Sequence, residues 1–150
     1  YLIIMSTLKD IISEMQNGKN MKELLEVVKI YNSDDWKEYE IFSEKKYKKN
    51  LVFRNNNFEI FVICWKPKQY SAIHNHSENG CIFKIIKGQL SEHRYKQETL
   101  KLIELNNLSK DSIGYIDNNE GIHRVLNESK NEDCVSLHIY SPPNFLATLY

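Results

Sequence analysis

The sequence after about Lys45 breaks into short segments rich in Val, Ile, Tyr and Phe, which Asn, Gly and Pro separate. Such residues favour strands, and frequent turn residues keep the strands short. Strands are predicted near Tyr47–Phe53, Phe58–Trp65, Ser71–His76, Cys81–Lys87, Gln89–Lys96, Thr99–Glu104, Ser112–Asp117, His123–Asn127 and Cys134–Tyr140. Asn55-Asn56-Asn57 and Lys87-Gly88 have the composition of hairpin turns. The pattern therefore predicts a mainly β domain, built as a barrel or a sandwich.

The segment before these strands has helical spacing. Apolar residues recur at helical intervals from Leu8 to Met15. Asn20, followed three residues later by Glu23, is a capping pattern that predicts the start of a second helix. A third, shorter helix is expected to start at Ser33 and to reach as far as residues 41–42. We interpret the apolar stripes of these helices as core packing.

Length and charge limit the possible functions. The 150 residues suit one domain, 1–150, with helices over about 6–45 packed outside a β-barrel over about 47–143. Lys plus Arg and Asp plus Glu number 20 each, so the formal net charge is zero. This balance argues against a general nucleic-acid binder and against an electrostatic membrane anchor. We expect a monomer with no nucleic-acid or membrane partner.

Cysteine usage and the apolar N-terminus bear on the compartment. Cys64, Cys81 and Cys134 are odd in number and form no CxxC pair, which favours a reducing compartment. Residues 1–5 are apolar but too few for a signal peptide or a membrane span. We therefore expect a soluble, cytoplasmic protein.

Two histidines one residue apart, His74 and His76, lie in one of the predicted strands. Side chains on a strand alternate between its faces, so both imidazoles would point the same way and could hold one metal ion. The alternative is a pair of surface histidines at a strand end. His123, at the start of a later strand, adds a third nitrogen and favours a metal site with open positions. His93 has no such partner, and we interpret it as an ordinary surface residue.

The last predicted strand places Ser136, His138 and Tyr140 on one face and apolar residues on the other. The alternative is an exposed strand face. Because the opposite face is apolar, we favour a hydrogen-bonded chain in which the Ser hydroxyl and the imidazole orient the phenol.

These motifs together resemble the signature of cysteine dioxygenase type I, a thiol dioxygenase of the cupin superfamily. The resemblance rests on His74-Asn75-His76, Cys81, Gly88, Gly121-Ile122-His123-Arg124-Val125 and Ser136-Leu137-His138-Ile139-Tyr140-Ser141-Pro142-Pro143. Cys81 occupies the position of the usual cupin glutamate, and Asn127 follows the third histidine at the expected distance. Loss of that glutamate is characteristic of these enzymes. The resemblance implies a jelly-roll-like cupin β-barrel.

The resemblance also implies residue roles and cofactors. His74, His76 and His123 would bind non-haem Fe(II). Cys81 and Tyr140 match a pair that forms a thioether cross-link beside the iron, although Cys81 alone could also be a small buried hydrophobic residue. His138 and Ser136 would be hydrogen-bond partners of this tyrosine, and Tyr47 would line the substrate pocket. The resemblance also implies a cis peptide bond between Ser141 and Pro142.

One position departs from the family pattern. The arginine that holds the substrate carboxylate is replaced by Lys49, which shares strand parity with Tyr47 and can still face the pocket. A lysine is a point charge and cannot form the two-pronged contact of an arginine. Arg54 has the opposite parity and is a poor substitute unless a β-bulge intervenes.

The resulting prediction is a dioxygenase that converts L-cysteine and O2 to cysteine sulfinate. Three neutral imidazoles leave the full charge on the iron, which favours an anionic ligand, and a bound thiol is deprotonated. Tyr140 would hydrogen-bond the oxygen or the substrate carboxylate. Lys49 keeps open the alternative of another small thiol, such as 3-mercaptopropionate. A non-catalytic cupin that binds a metal or a small ligand is the alternative from another functional class.

Overall fold

The computed structural model describes residues 5–150; residues 1–4, most of the apolar N-terminal stretch, lie outside the described residues. Helices α1 (Leu8–Gln16) and α2 (Met21–Lys29) come first. A short 3-10 helix (Asp35–Tyr39) follows. The strands are β1 (Lys48–Arg54), β2 (Glu59–Trp65), β3 (Cys81–Lys87), β4 (Leu90–Tyr95), β5 (Leu102–Leu108), β6 (Ile113–Ile116), β7 (Ile122–Leu126) and β8 (Cys134–Tyr140).

Both α-helices begin at capping boxes. The Asn20 side chain accepts from the Glu23 amide, and the Glu23 carboxylate accepts from the Asn20 amide, as predicted. Thr7 and Asp10 form the same arrangement at α1, which satisfies backbone donors that a helix start leaves unpaired. The third helix is shorter than expected, because its last turn closes at Tyr39.

The strands form two antiparallel sheets. The larger has the order β1-β2-β8-β3-β6, and the smaller has the order β5-β4-β7. The hairpin prediction is confirmed for Asn55-Asn56-Asn57, since β1 pairs with β2. It is wrong for Lys87-Gly88, because β3 pairs with β6 and β8 while β4 lies in the other sheet. Gly88 has φ 76°, and a Cβ there would lie 2.4 Å from the Asp133 carbonyl, so the glycine lets the chain cross between sheets.

The larger sheet has an apolar core on each face. One face packs against the helices, and its buried residues include Ile60, Val62, Ile82, Leu137 and Ile139. The opposite face looks toward the smaller sheet, and its apolar residues include Phe61, Ile63, Trp65, Ile85 and Phe83. This confirms a mainly β architecture with the helical N-terminal segment packed outside.

The predicted strand Ser71–His76 is wrong, because the segment forms only isolated bridges. Tyr70 pairs with Leu126, and His74 pairs with His123. Between these two bridges the first segment advances four residues, from Tyr70 to His74, while its partner segment covers only three, from Leu126 to His123. The extra residue makes the first segment bulge, and a regular strand ladder does not form. The shared direction of the two histidines does not come from strand alternation.

Candidate metal centre

Three histidine side chains meet at one end of the barrel interior. Ligand atoms of His74, His76 and His123 all lie within 4.8 Å of one another. The His74 amide donates to the His123 carbonyl over 2.9 Å, and the reverse bond measures 3.2 Å. Asn118 holds the backbone of His76 from both sides, accepting from its amide at 2.9 Å and donating to its carbonyl at 3.0 Å. Backbone hydrogen bonds thus bring the three imidazoles together, although His74 and His76 do not lie on a regular strand.

The outer ring nitrogens of two of these histidines have protein partners. His74 Nδ1 lies 2.8 Å from the Ala72 carbonyl, and His123 Nδ1 lies 2.7 Å from Glu92 Oε2. Each Nε2 is therefore left for a ligand. Within residues 5–150, neither buried ring nitrogen of His76 has a hydrogen-bond partner of good geometry, although a weaker backbone contact at Gly121 acts on the ring. Buried polar atoms are almost always paired, so the three residues fit a metal ion.

Burial keeps these imidazoles neutral. It is the main cause that lowers the pKa of His74 to about 4 and that of His76 to about 2; the His123 ring adds to both. Burial also lowers the pKa of His123. A neutral imidazole is the form that binds metals, so near neutral pH the group needs no deprotonation before it binds.

Glu92 on β4 is a site residue that the sequence reasoning missed. Its carboxylate accepts from His123 through Oε2, and from Arg94 Nε (3.0 Å) and Asn106 Nδ2 (2.9 Å) through Oε1. Burial alone would raise the pKa of Glu92, but the bonds and charges of His123 and Arg94 outweigh it and lower the pKa to about 2. The available signal was its parity with Leu90, which places an acid on the inward face of the strand.

The hydrogen-bonded row predicted for β8 is present. Ser136 Oγ lies 2.8 Å from His138 Nε2, and the Tyr140 hydroxyl lies 3.4 Å from His138 Nδ1. Trp65, which sequence reasoning did not include, donates from Nε1 to Ser136 Oγ over 2.9 Å. Burial lowers the pKa of His138 and raises that of Tyr140, so both are neutral.

Cys81 lies beside this row. It faces Tyr140 in the β3–β8 pairing, is only 2% exposed, and has its Sγ 3.8 Å from His138 Nδ1. Burial raises the pKa of the Cys81 thiol to about 12. The sequence-predicted pair of Cys81 and Tyr140 is therefore adjacent across two strands. The Ser141–Pro142 bond that follows is cis, as the resemblance implies.

A cavity of about 210 Å³ opens at the three histidines. Tyr47 and Lys49 both line it, as their shared parity predicts, and the Tyr47 ring stacks on Trp65 at 4.6 Å between centroids. The remaining lining includes His138, Tyr140, Ile63, Val125, Glu59 and residues of the C-terminal segment.

Lys49 presents its ammonium group to aromatic rings rather than to an acid. Nζ lies 4.4 Å from the centroid of Phe61 and 4.8 Å from that of Tyr140. Burial lowers the pKa of Lys49, and the charge of Glu59 opposes this change. Among the described residues the Lys49 ammonium group has no hydrogen-bond or ion-pair partner, so its donors remain available to a ligand.

Arg54 is held away from the ligand position. A register shift between Leu51 and Phe53 does provide the bulge that could reverse its parity. However, its Nε and Nη2 each lie 2.8 Å from Glu59 Oε2, and only Glu59 lines the cavity. His93 also lies outside the site, with Nε2 3.9 Å from Glu128 Oε1, as expected of a surface residue.

The C-terminal segment forms a wall that sequence reasoning missed. Phe145, Ala147 and Leu149 line the cavity, and no polar–apolar alternation marks them in the sequence, because Leu146 between them is also apolar. The Thr148 amide donates to Asn75 Oδ1 over 2.7 Å, and the Tyr150 amide donates to the Ile73 carbonyl over 3.0 Å. These bonds tie the segment to the loop that carries two of the histidines.

Comparison with known proteins agrees with this geometry. The sequence model of the family "Cysteine dioxygenase type I" matches residues 3–149. The chain belongs to the cysteine dioxygenase type I family. It is 33% identical to cysteine dioxygenase type 1 of Danio rerio, over 91% of this chain and 75% of that protein. Identity to the Homo sapiens protein is 34%, over 83% of this chain, and the match spans 66% of that relative.

Solved structures confirm the cupin fold for this cysteine dioxygenase family member. A Klebsiella pneumoniae protein with a double-stranded β-helix domain aligns with TM-score 0.63 at 19% identity, over 75% of this chain and 86% of that one. A Desulfitobacterium hafniense cupin superfamily protein aligns with TM-score 0.55 at 9% identity, over 67% and 82%. No helix within residues 5–150 is long and apolar enough to cross a bilayer.

Proposed function

We propose that the protein is an Fe(II)-dependent dioxygenase that converts L-cysteine and O2 to cysteine sulfinate, and that it acts in the cytoplasm. Family membership supports the reaction, and the observation that carries the proposal is the group of three neutral histidines at the cavity, of which His76 and His123 are buried and His74 is partly buried. His74, His76 and His123 would hold the iron. When bound, the metal supplies oxygen chemistry and lowers the pKa of the substrate thiol.

Lys49 is the proposed anchor for the substrate carboxylate. Its ammonium group lies over Phe61 and Tyr140 at the cavity wall, where a small thiol acid would place its charged end. Charge attraction is stronger in a partly buried site than in water, so one ammonium can hold one carboxylate. Tyr47, stacked on Trp65, forms a rigid side of the same pocket.

The β8 row is proposed to aim the Tyr140 hydroxyl proton into the cavity. Trp65 can only donate, so Ser136 Oγ accepts from it with one lone pair, and in this proposal its own proton is donated to His138 Nε2. His138 then carries its proton on Nδ1 and donates it to the Tyr140 oxygen. The Tyr140 O–H, which also has Cys81 as a hydrogen-bond partner, would then turn to the substrate carboxylate or oxygen. A donor held in place before the reaction lowers the cost of reaching the transition state.

A thioether between Cys81 and Tyr140 is proposed as a further constraint on this phenol. Formation of a bond from Cys81 Sγ to a ring carbon removes two hydrogens, with O2 as the oxidant. Intact mass after turnover should show a species lighter by two hydrogens, which is absent in Cys81→Ala. If wild type gives no such species and Cys81→Ala retains full activity, the cross-link proposal is wrong.

A second candidate substrate is 3-mercaptopropionate. Lys49 keeps it open, because a point charge binds a carboxylate without the geometric demand of an arginine fork and so sets fewer limits on the rest of the substrate. Oxygen uptake by the Fe(II)-loaded protein with each thiol, together with sulfinate analysis, separates the candidates. Higher kcat/KM for L-cysteine is expected. Uptake with neither thiol would contradict the proposed activity and favour a cupin that binds without catalysis.

A further inference from the structure

The two carboxylate oxygens of Glu92, which lies behind His123, bind different partners. Arg94 and Asn106 both donate to Glu92 Oε1, which leaves Oε2 to His123 alone, at 2.7 Å. Glu92 is 1% exposed, so water does not compete for these bonds. Arg94 is itself shared, since Nη2 donates to the Tyr115 carbonyl at 3.1 Å and Nη1 lies 3.7 Å from Glu120.

This division has an electrostatic consequence at the histidines. A carboxylate that accepts from Nδ1 fixes the proton there and makes Nε2 a stronger electron donor. The other two ligands have weaker support, because the described residues offer the His74 ring only the neutral Ala72 carbonyl and the His76 ring only a neutral backbone contact at Gly121. Of the three imidazoles, only His123 is in direct contact with an anion.

We propose that Glu92 is a positioning residue that acts on the metal through His123. The three ligands are neutral, and Glu92 would supply a negative charge that reaches the metal through the His123 ring. Its hydrogen bond would also fix the tautomer and the ring plane of His123. This inference rests on the proposed metal site. It revises the expectation that the charge of the iron is uncompensated by the protein.

A buried partner for Arg94 is the simpler alternative role for Glu92. In that case the contact on Oε1 would matter and the contact on Oε2 would be incidental. Loss of Glu92 would then lower stability, with no effect on metal affinity or potential in the protein that remains folded. Those two properties therefore separate the roles.

The first test compares Glu92→Gln with Glu104→Gln, an exposed acid on the neighbouring strand β5. Gln keeps the shape of Glu92 and removes its charge. Zn(II) affinity by chelator competition should fall about 10–100-fold in Glu92→Gln and stay unchanged in Glu104→Gln. The Fe(III)/Fe(II) potential should rise in Glu92→Gln, because the missing anion stabilises Fe(III) more than Fe(II). Metal-free circular dichroism checks that each variant is folded.

The second test needs no variant of Glu92. In the Zn(II)-loaded wild-type protein, nitrogen-15 NMR should show a proton on His123 Nδ1, slow to exchange and shifted downfield; His123→Gln assigns the signal. A bare Nδ1, or equal Zn(II) affinity in wild type and folded Glu92→Gln, would overturn the inference alone. A wild-type protein that binds neither Zn(II) nor Fe(II) would instead overturn the proposed metal site.

Discussion

At the scale of single residues, Lys49 is where this chain departs from the family pattern. Its Nζ already lies over Phe61 and Tyr140, whereas Arg54, the other candidate cation, is ion-paired with Glu59 and does not line the cavity. Parity alone placed Lys49 correctly in the pocket. Parity could not predict the ion pair between Arg54 and Glu59, because that pairing depends on a β-bulge in β1.

Replacing Lys49 with Arg should lower KM for L-cysteine several-fold with little change in kcat, because a guanidinium can bind a carboxylate through two parallel hydrogen bonds. Its flat face can also stack on the two rings that surround Nζ. Steady-state oxygen uptake measures the change, with Lys48→Arg, an exposed neighbour of opposite parity, as the control. An unchanged KM in Lys49→Arg would assign carboxylate binding to another residue.

At the scale of elements, the packing of helix α2 on the larger sheet depends on one buried lysine. Lys84 in β3 is 3% exposed, and its Nζ donates to the carbonyls of Val28, Lys29 and Tyr31 at 3.2, 3.1 and 2.7 Å. These carbonyls end the helix, where a positive charge is favourable. Burial lowers the pKa of Lys84, which shows the cost of placing it there.

Lys84→Met should therefore lower the free energy of unfolding by about 1–3 kcal/mol, because it removes the donor to the Lys29 and Tyr31 carbonyls, whereas the Val28 carbonyl still accepts from the Tyr31 amide. Chemical denaturation measures the change. Lys87→Met, on the same strand but exposed and paired with Glu40, should cost less than about 1 kcal/mol. Equal effects in the two variants would mean that the helix end does not depend on Lys84.

Element prediction succeeded where the pattern was local and failed where distant chain segments decide the structure. The alternation in β8 was sufficient to separate Ser136, His138 and Tyr140 from the core. The segment around His74 was predicted as a strand, but its path is set by bridges to β7 and to the C-terminal segment. The turn at Gly88 was recognisable as a turn, although no local signal distinguishes a hairpin from a crossing between sheets.

At the scale of the whole molecule, the barrel keeps its imidazoles neutral by burying them, and this affects stability. In the unfolded chain a histidine has a pKa near about 6.5. In the folded metal-free protein burial lowers the pKa of His74 to about 4 and that of His76 to about 2. As pH falls below the histidine pKa of the unfolded chain, these histidines are protonated in the unfolded chain but stay neutral in the folded protein. Stability is therefore lost on acidification and is unaffected by these groups above neutral pH.

The melting temperature of the chelator-treated protein should accordingly fall between about pH 7 and pH 4.5. His76→Gln should reduce this dependence, whereas His93→Gln, on the outer part of β4, should leave it as in wild type. A dependence that is identical in all three proteins would show that other groups cause it. The comparison is made within each protein, so a constant difference in stability does not affect it.

The mainly β class and the outer helices followed from local patterns, whereas the assembly of the site required the three-dimensional structure. Three histidines could be chosen from the sequence because their spacing matches a known signature. Parity could place Glu92 on the inward face of its strand, but neither its contact with His123 nor the C-terminal wall could be predicted, because each depends on residues far apart in the chain.

The proposed reaction transfers both atoms of O2 to the sulfur of cysteine. The most direct test is a single turnover of the Fe(II)-loaded protein with L-cysteine under oxygen-18 gas in unlabelled water, with mass analysis of the product. Cysteine sulfinate that carries the label in both sulfinate oxygens is the predicted result. Cystine, or a sulfinate that holds an oxygen from water, would contradict it.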